Sequence, residues 1–179
     1  METLDLERIR DGFPGITPTF GETLLEACLV CLEKLDHKPG TTLSVFGDWN
    51  VEVELRWNTA VNERMRRTWN NHNEATEYAA VCLVTLFVNQ FTDYTIIGKA
   101  DEKSGIDFWL GNQFLKNPDE LFIPTGRLEV SGIFSGTKTQ IKRRFQLKLI
   151  QTRQSESTGL PIIIGITEFG KPQTRLEKR

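Results

Sequence analysis

The sequence predicts an α/β protein in which helices flank a mixed β-sheet. Two hydrophobic patterns carry this prediction. Apolar and charged residues alternate from Val51 to Trp57, as in a strand with one buried face. Nearly every residue from Ala79 to Val88 is apolar, as in a helix that is buried on all sides. The length of 179 residues suits one domain, so we expect residues 1–179 to fold as a unit.

The first part of the chain, residues 1–72, is expected to form an N-terminal elaboration. Glycines and prolines near its beginning favour irregular structure. Leucines and cysteines then recur at helical spacing, and two strand-like runs flank a short connection that suits a hairpin. We expect an irregular start, a helix, a hairpin and a short basic helix at residues 1–20, 21–35, 42–57 and 62–70, respectively.

The second part, residues 73–169, is expected to hold the core of the sheet. Its pattern is a helix, three strands, a second helix and a further strand that is apolar throughout, as in a strand buried on both faces. The charged residues 170–179 predict a frayed tail. The core elements are expected at residues 73–91, 94–98, 105–110, 127–134, 137–151 and 160–169.

The composition argues against several classes of protein. With a net charge of −2, the chain is not built to coat nucleic acid or an anionic membrane over its whole surface. It has neither a signal peptide nor an apolar run of the ~20 residues that a membrane span needs, so we expect a cytoplasmic protein without membrane contact. Its three cysteines are expected to be reduced, with Cys28 and Cys31 as core residues of the first helix. No motif of an ATPase, a dinucleotide-binding enzyme or a zinc protease occurs.

Three acidic residues stand where apolar residues are expected. Glu77 lies in the apolar helix, and Asp107 and Glu129 each lie between two apolar residues of a predicted strand. If these two strands are neighbours, strand parity puts Asp107 and Glu129 side by side. Such close like charges need a cation, and the backbone carbonyl of Val130 would complete an oxygen-rich site for Mg²⁺ or Mn²⁺. The alternative is that each acid merely faces solvent on a half-exposed strand.

The order of elements and the placement of these acids resemble the PD-(D/E)XK nuclease superfamily. The resemblance covers residues 73–169 and implies a restriction-endonuclease-like αβββαβ core. It implies a divalent metal ion held by Asp107, Glu129 and the carbonyl of Val130. Glu74, one turn before Glu77, is an alternative to Glu77 as the acid supplied by the helix. The catalytic residues that the resemblance implies are Glu77, Asp107, Glu129 and Ser131.

One position departs from the pattern of the superfamily. Ser131 stands where the superfamily has a lysine, which positions or activates the attacking water. Two functions therefore stay open. The chain is a metal-dependent nuclease that hydrolyses phosphodiester bonds in restriction, repair or defence, or it is a catalytically degenerate subunit that binds nucleic acid or assembles with proteins. Three lysines are considered as substitutes for the missing one: Lys103, Lys138 and Lys142.

The second helix of the predicted core carries a basic surface. Residues 138–153 contain six lysines and arginines and no acid. We expect this surface to bind the phosphates of nucleic acid, DNA rather than RNA, although a solvated helix face is the alternative. A second basic region beside Trp69 suits stacking on single strands, and the N-terminal hairpin suits a homodimer or assembly with other subunits. The predicted nucleic-acid-binding residues are Lys138, Lys142, Arg143, Arg144 and Lys148.

Overall fold

The computed structural model describes residues 1–115 and 117–179, which form an α/β fold around one mixed sheet. In chain order, strands β1 to β8 span Glu2–Asp5, Thr42–Gly47, Val51–Arg56, Tyr94–Lys99, Phe108–Asn112, Gly126–Ile133, Ile162–Glu168 and Gln173–Lys178. Helices α1 to α4 span Pro18–Lys34, Glu63–Thr68, His72–Phe91 and Lys138–Gln151. Short 3-10 turns cover Leu6–Asp11, Glu102–Ser104, Pro118–Phe122 and Thr152–Thr158.

The sheet has the strand order β1-β3-β2-β8-β7-β6-β5-β4. Strands β4, β5 and β6 form an antiparallel meander. Helix α4 then crosses over, and β7 returns parallel to β6. On its other side β7 pairs with β8, which is parallel to β2 and so joins the β2–β3 hairpin to the core. The α/β class and the mixed sheet predicted from the sequence are therefore confirmed.

Helices cover both faces of the sheet. Helices α1 and α3 pack together on one face, over buried residues that include Leu83, Leu128 and Ile163. Helix α4 covers the other face, where Ile141 and Phe145 pack against apolar residues of β7. Within residues 1–115 and 117–179, no helix has the length and apolar character that crossing a membrane requires.

A capping box fixes where α4 begins. The backbone N–H of Gln140 donates to Oγ1 of Thr137, and the backbone N–H of Thr137 donates to Oε1 of Gln140 at 2.7 Å. This reciprocal pair satisfies two N–H groups that the first turn of a helix leaves without partners. The capping box thus sets where α4 begins, and the buried Ile141 and Phe145 determine which side of it faces the sheet.

Both ends of the chain differ from the sequence expectation. The segment expected to be irregular contains β1, which pairs parallel with β3, and α1 already begins at Pro18. The prediction of a frayed tail is wrong, because β8 lies inside the sheet between β2 and β7. Its charged residues are misleading because long charged side chains can cover apolar surface. The guanidinium of Arg175 lies 4.0 Å from the ring centre of Phe145, and Glu177 forms ion pairs with Arg175 and Arg179.

Candidate functional site

Strand β6 extends beyond its neighbour β5. The ladder between them ends at the pair of Phe108 and Leu128, whereas β6 continues beside β7 as far as Ile133. The sequence predicts a strand from residue 105, but Gly105 has a positive φ of 70° and ends a 3-10 turn there. Asp107 therefore precedes β5 instead of lying within it, at the point where the edge of β6 becomes free.

Two carboxylates take the place of the missing strand along this edge. Oδ2 of Asp107 accepts the backbone N–H of Val130 at 2.7 Å, and Oε2 of Glu77 accepts that of Gly132 at 3.0 Å. Gly132 allows α3 to come this close, because a Cβ at that position would lie 2.3 Å from the carbonyl oxygen of Thr76. The helix acid and the loop acid are thus both held at the same strand edge.

Glu129 is the most deeply buried acid of the site, with none of its side chain exposed. Its Oε1 accepts hydrogen bonds from Nζ of Lys148 at 2.5 Å and from Nε2 of Gln151 at 3.1 Å. Its Oε2 is buried and has no hydrogen-bond partner in the described part of the chain. Burial, followed by repulsion from Asp107, raises the pKa of Glu129 from 4.5 to about 8, although Lys148 opposes the rise. An additional cation beside Glu129 and Asp107 would therefore favour the ionised form of Glu129.

Both cations of the site come from α4. Arg144 and Lys148 are four residues apart, a rise of ~6 Å along a helix, and their partners Ser131 and Glu129 are two residues apart, ~6.6 Å along a strand. Because the spacings match, one side of α4 contacts both Ser131 and Glu129 of β6. Nη1 of Arg144 donates to Oγ of Ser131 at 2.8 Å, as Lys148 does to Glu129.

Ser131 links Glu77 to α4. Its Oγ donates to Oε1 of Glu77 at 3.1 Å, and Arg144 also reaches that oxygen at 3.3 Å. The side chains of Glu77 and Arg144 are 47% and 40% exposed, whereas Ser131 is fully buried. Glu77 therefore lies at the mouth of the site, while Ser131 positions its neighbours from inside.

The structure brings together most, but not all, of the site residues that were predicted from the sequence. The exposed side chains include Glu74, which lies one turn before Glu77, and all three lysines considered as substitutes for the missing one. The basic residues of α4 divide into two groups, since Lys138, Lys142 and Arg143 are exposed and the other two enter the site. The residues gathered at the site are Glu77, Asp107, Glu129, Val130, Ser131, Arg144 and Lys148.

The second basic region does not form a stacking platform. Trp69 is only 6% exposed, and its ring N–H donates to Glu26 at 3.4 Å. Arg66 and Arg67 pair with acids of α1 and α2, respectively, including Glu33. Trp69 is therefore a core residue.

Sequence reasoning missed the partner of Glu129. Lys148 was expected to contact nucleic acid, and Gln151 was given no role, yet both bind the buried carboxylate. A signal for this pairing does exist in the sequence. The spacing of Arg144 and Lys148 in a helix matches that of Ser131 and Glu129 in a strand, and a crossover helix packs back onto the sheet that holds the two strands it connects.

The site offers a partial set of ligands for a divalent cation. The free Oε2 of Glu129 and the carboxylate of Asp107 are close together, and the carbonyl of Val130 lies on the same strand edge as its N–H. Hard cations such as Mg²⁺ prefer oxygen ligands of this kind and keep several waters. Among the described residues no group of three or more acidic, histidine or cysteine side chains is arranged to hold a metal ion. The residues present thus fit a two-carboxylate site completed by backbone and water.

Comparison with known proteins adds no relative. No protein-family model, curated protein or solved structure matches the chain significantly. The function is therefore argued from the geometry of the site itself.

Proposed function

We propose that this chain is a metal-dependent nuclease that hydrolyses phosphodiester bonds of nucleic acid, preferring DNA. The observation that carries the proposal is the buried Oε2 of Glu129, which lacks a hydrogen-bond partner among the described residues and lies beside Asp107. Buried polar atoms without partners are rare because they are costly, and one at a cluster of carboxylates is best explained by a ligand that completes it.

The arrangement of elements supports this proposal. Helix α3, the meander of β4 to β6, the crossover α4 and the parallel strand β7 follow the αβββαβ order of the restriction-endonuclease-like fold. The acids occur on the helix, before the second strand and within the third strand of this series. A fold does not decide function, so this agreement supports the proposal without carrying it.

In this proposal Asp107, Glu129 and the carbonyl of Val130 hold Mg²⁺ or Mn²⁺. The bound ion would polarise the scissile phosphate and lower the pKa of the attacking water. Asp107 is oriented for this role by the N–H of Val130, and Glu129 by Lys148 and Gln151. The protein thus fixes both carboxylates before the substrate arrives, which is how preorganised sites lower a barrier.

Lys148 supplies the charge that Ser131 cannot. Its ammonium contacts the buried Glu129, and its side chain is 22% exposed, so in this proposal a phosphate oxygen reaches it from the solvent side. A fixed positive charge beside the phosphate stabilises the negative charge that develops in the transition state. Glu77, held by Gly132 and Arg144, faces the solvent side of the site and orients the attacking water. Lys138, Lys142 and Arg143 contact the phosphates farther along the strand.

A second candidate function, a nuclease fold that does not cleave, is supported by the contacts of Glu129 and Ser131. The ion pair of Lys148 and Glu129 already neutralises one carboxylate without a metal ion, and Ser131 is fully engaged by Glu77 and Arg144. These contacts favour a degenerate nuclease fold that binds nucleic acid, or assembles with a second copy or with other proteins, without cutting.

The decisive experiment compares cleavage of plasmid DNA, single-stranded DNA and RNA in Mg²⁺, Mn²⁺ and EDTA. Wild type is tested beside Asp107→Asn, Glu129→Gln and the matched control Glu52→Gln, whose side chain is exposed on β3. Thermal denaturation with and without the metal ion accompanies each assay. We expect metal-dependent cleavage and a metal-induced rise in Tm for wild type and the control only.

Absence of both cleavage and a metal-induced rise in Tm in wild type would refute the nuclease. Nucleic-acid binding in the same samples would then support the degenerate subunit.

A further inference from the structure

A small pocket adjoins the carboxylates on the face of the sheet that α1 and α3 cover. It encloses about 190 Å³, and its lining residues include the half-buried aromatics Phe20 and Tyr78 and the buried Phe108. Glu77 and Asp107 also line it, so the pocket opens directly onto the proposed catalytic site. Pockets for drug-sized ligands measure roughly 300–1,000 Å³. This pocket therefore suits a single ring system.

The chemistry of the pocket matches a flat heteroaromatic ring. Phe20 and Tyr78 both line the pocket and meet edge to face with ring centres 6.1 Å apart. Nζ of Lys99 lies over the ring of Phe20, 4.7 Å from its centre. Carboxylates accept hydrogen bonds from ring N–H and amino groups, and a lysine at the rim can bind a phosphate. Aromatic walls, acceptors and a cation are the three groups that recognise an unstacked base.

We propose that this pocket receives one unpaired nucleobase next to the scissile phosphate. The inference rests on the proposed function, because Asp107 belongs both to the pocket and to the metal site. The base and phosphate of one nucleotide are joined by a single sugar, so a base in the pocket brings its own phosphate to the carboxylates. A base within a duplex is paired and stacked and cannot enter unless it is extruded. The preferred substrate is therefore single-stranded or locally unpaired nucleic acid.

The test measures binding first, in EDTA, where metal-assisted cleavage does not proceed. Fluorescence anisotropy compares a labelled single-stranded DNA, the same DNA in a duplex, and a single strand in which abasic sites replace the central bases. We expect single-stranded DNA to bind about tenfold more tightly than the other two, because each stacked base contributes roughly that factor or more. Cleavage in Mg²⁺ is expected to follow the same order.

Matched variants localise the effect. Phe20→Leu and Tyr78→Leu keep apolar volume but remove a ring, and Lys99→Gln removes the cation at the rim. Tyr94→Leu is the control, because Tyr94 also has a lysine over its ring, Lys178 at 5.0 Å, but does not line this pocket. We expect the two ring variants to lose the preference for single strands while the control keeps it, with a similar small decrease in Tm in each, because all three rings pack against the core.

Each outcome bears on the pocket separately from the nuclease. Equal affinity for all three DNAs, no binding at all, or equal effects of Phe20→Leu and Tyr94→Leu would overturn the pocket assignment. Metal-dependent cleavage without a preference for single strands would overturn it while leaving the nuclease intact. Base-dependent binding without any cleavage would support the pocket and refute the nuclease.

Discussion

The ammonium of Lys148 lies 2.5 Å from the buried Oε1 of Glu129, although the two residues belong to different layers of the fold. The lysine comes from α4, which covers the sheet, and the glutamate comes from β6, within the sheet. A lysine–carboxylate pair thus forms at the position where the strand itself offers only Ser131. The proposed chemistry depends on this pair more than on any other contact.

Replacing Lys148 with methionine is expected to lower cleavage by ~100-fold or more, since one preorganised charge is removed. Above pH 8, where Glu129 is ionised, it should also destabilise the fold by ~3 kcal/mol, because Glu129 keeps its burial and loses its cation. Adding Glu129→Gln to Lys148→Met should restore most of the stability and none of the activity. Urea unfolding and single-turnover cleavage measure both effects.

The control for this substitution is Lys38→Met, which changes an exposed lysine outside the site. It should leave stability and cleavage unchanged. Full activity of Lys148→Met would remove this lysine from the mechanism.

The free energy of unfolding of the metal-free protein is expected to fall as pH rises from about 5 to about 8. Burial and Asp107 raise the pKa of Glu129 from 4.5 to about 8, so between these values the folded state holds a proton that the unfolded chain releases. Because the unfolded state binds fewer protons, the free energy of unfolding decreases with pH across this window. Above about pH 8 it no longer changes through this group.

Glu129→Gln removes this titration and should be more stable than wild type at pH 8.5 by roughly 4 kcal/mol, but similar at pH 5. Urea unfolding in EDTA measures both proteins, with Glu52→Gln as the control that keeps the slope. Parallel pH profiles for wild type and Glu129→Gln would rule out Glu129 as the titrating group.

The exposed basic residues of α4 are expected to act on affinity alone. Replacing Lys138, Lys142 and Arg143 together with glutamine should weaken binding of duplex and single-stranded DNA alike. The slope of log K against log salt should become shallower by about 2–3, as expected for the loss of two or three phosphate contacts. Anisotropy at several salt concentrations measures this slope. An unchanged slope would show that this face does not contact nucleic acid, and an unchanged metal-induced rise in Tm would confirm that the site is intact.

The close packing of α3 on β6 is expected to limit what residue 132 can be. Gly132→Ala would place a Cβ 2.3 Å from the carbonyl oxygen of Thr76, so α3 must shift and carry Glu77 with it. We expect a loss of stability of ~2 kcal/mol together with lower cleavage. Gly98→Ala is the matched control, since its Cβ meets nothing within 4 Å and should change stability by less than ~0.5 kcal/mol. Equal melting temperatures of the two variants would contradict this account.

The elements that could be predicted from the sequence are those with a regular hydrophobic pattern in consecutive residues. The apolar run of α3 and the alternation in β3 are local patterns, and both are present in the structure. Strands β1 and β8 could not be recognised, because their apolar residues are few and their order depends on distant partners. In β8 the polar residues Thr174 and Glu177 are buried by neighbours that the local pattern does not reveal.

The acids of the site could be predicted because each is an exception within an apolar stretch, as Glu129 is in β6. Their cations were harder to assign, because Arg144 and Lys148 look like the rest of a basic helix unless their spacing is compared with that of Ser131 and Glu129. That comparison requires the path of the crossover, which follows from tertiary packing.

Strand β8 has a consequence for how the protein is made. The sheet order places residues 173–178 between the hairpin of β2 and β3 and the core strand β7. During synthesis from the N-terminus, the hairpin and β7 therefore leave the ribosome with open hydrogen-bonding edges, which are templates for mispairing between chains. Only when β8 emerges can both edges close at once. Completion of the sheet thus waits for residues 173–178, and a chain stalled before residue 173 should be prone to aggregate.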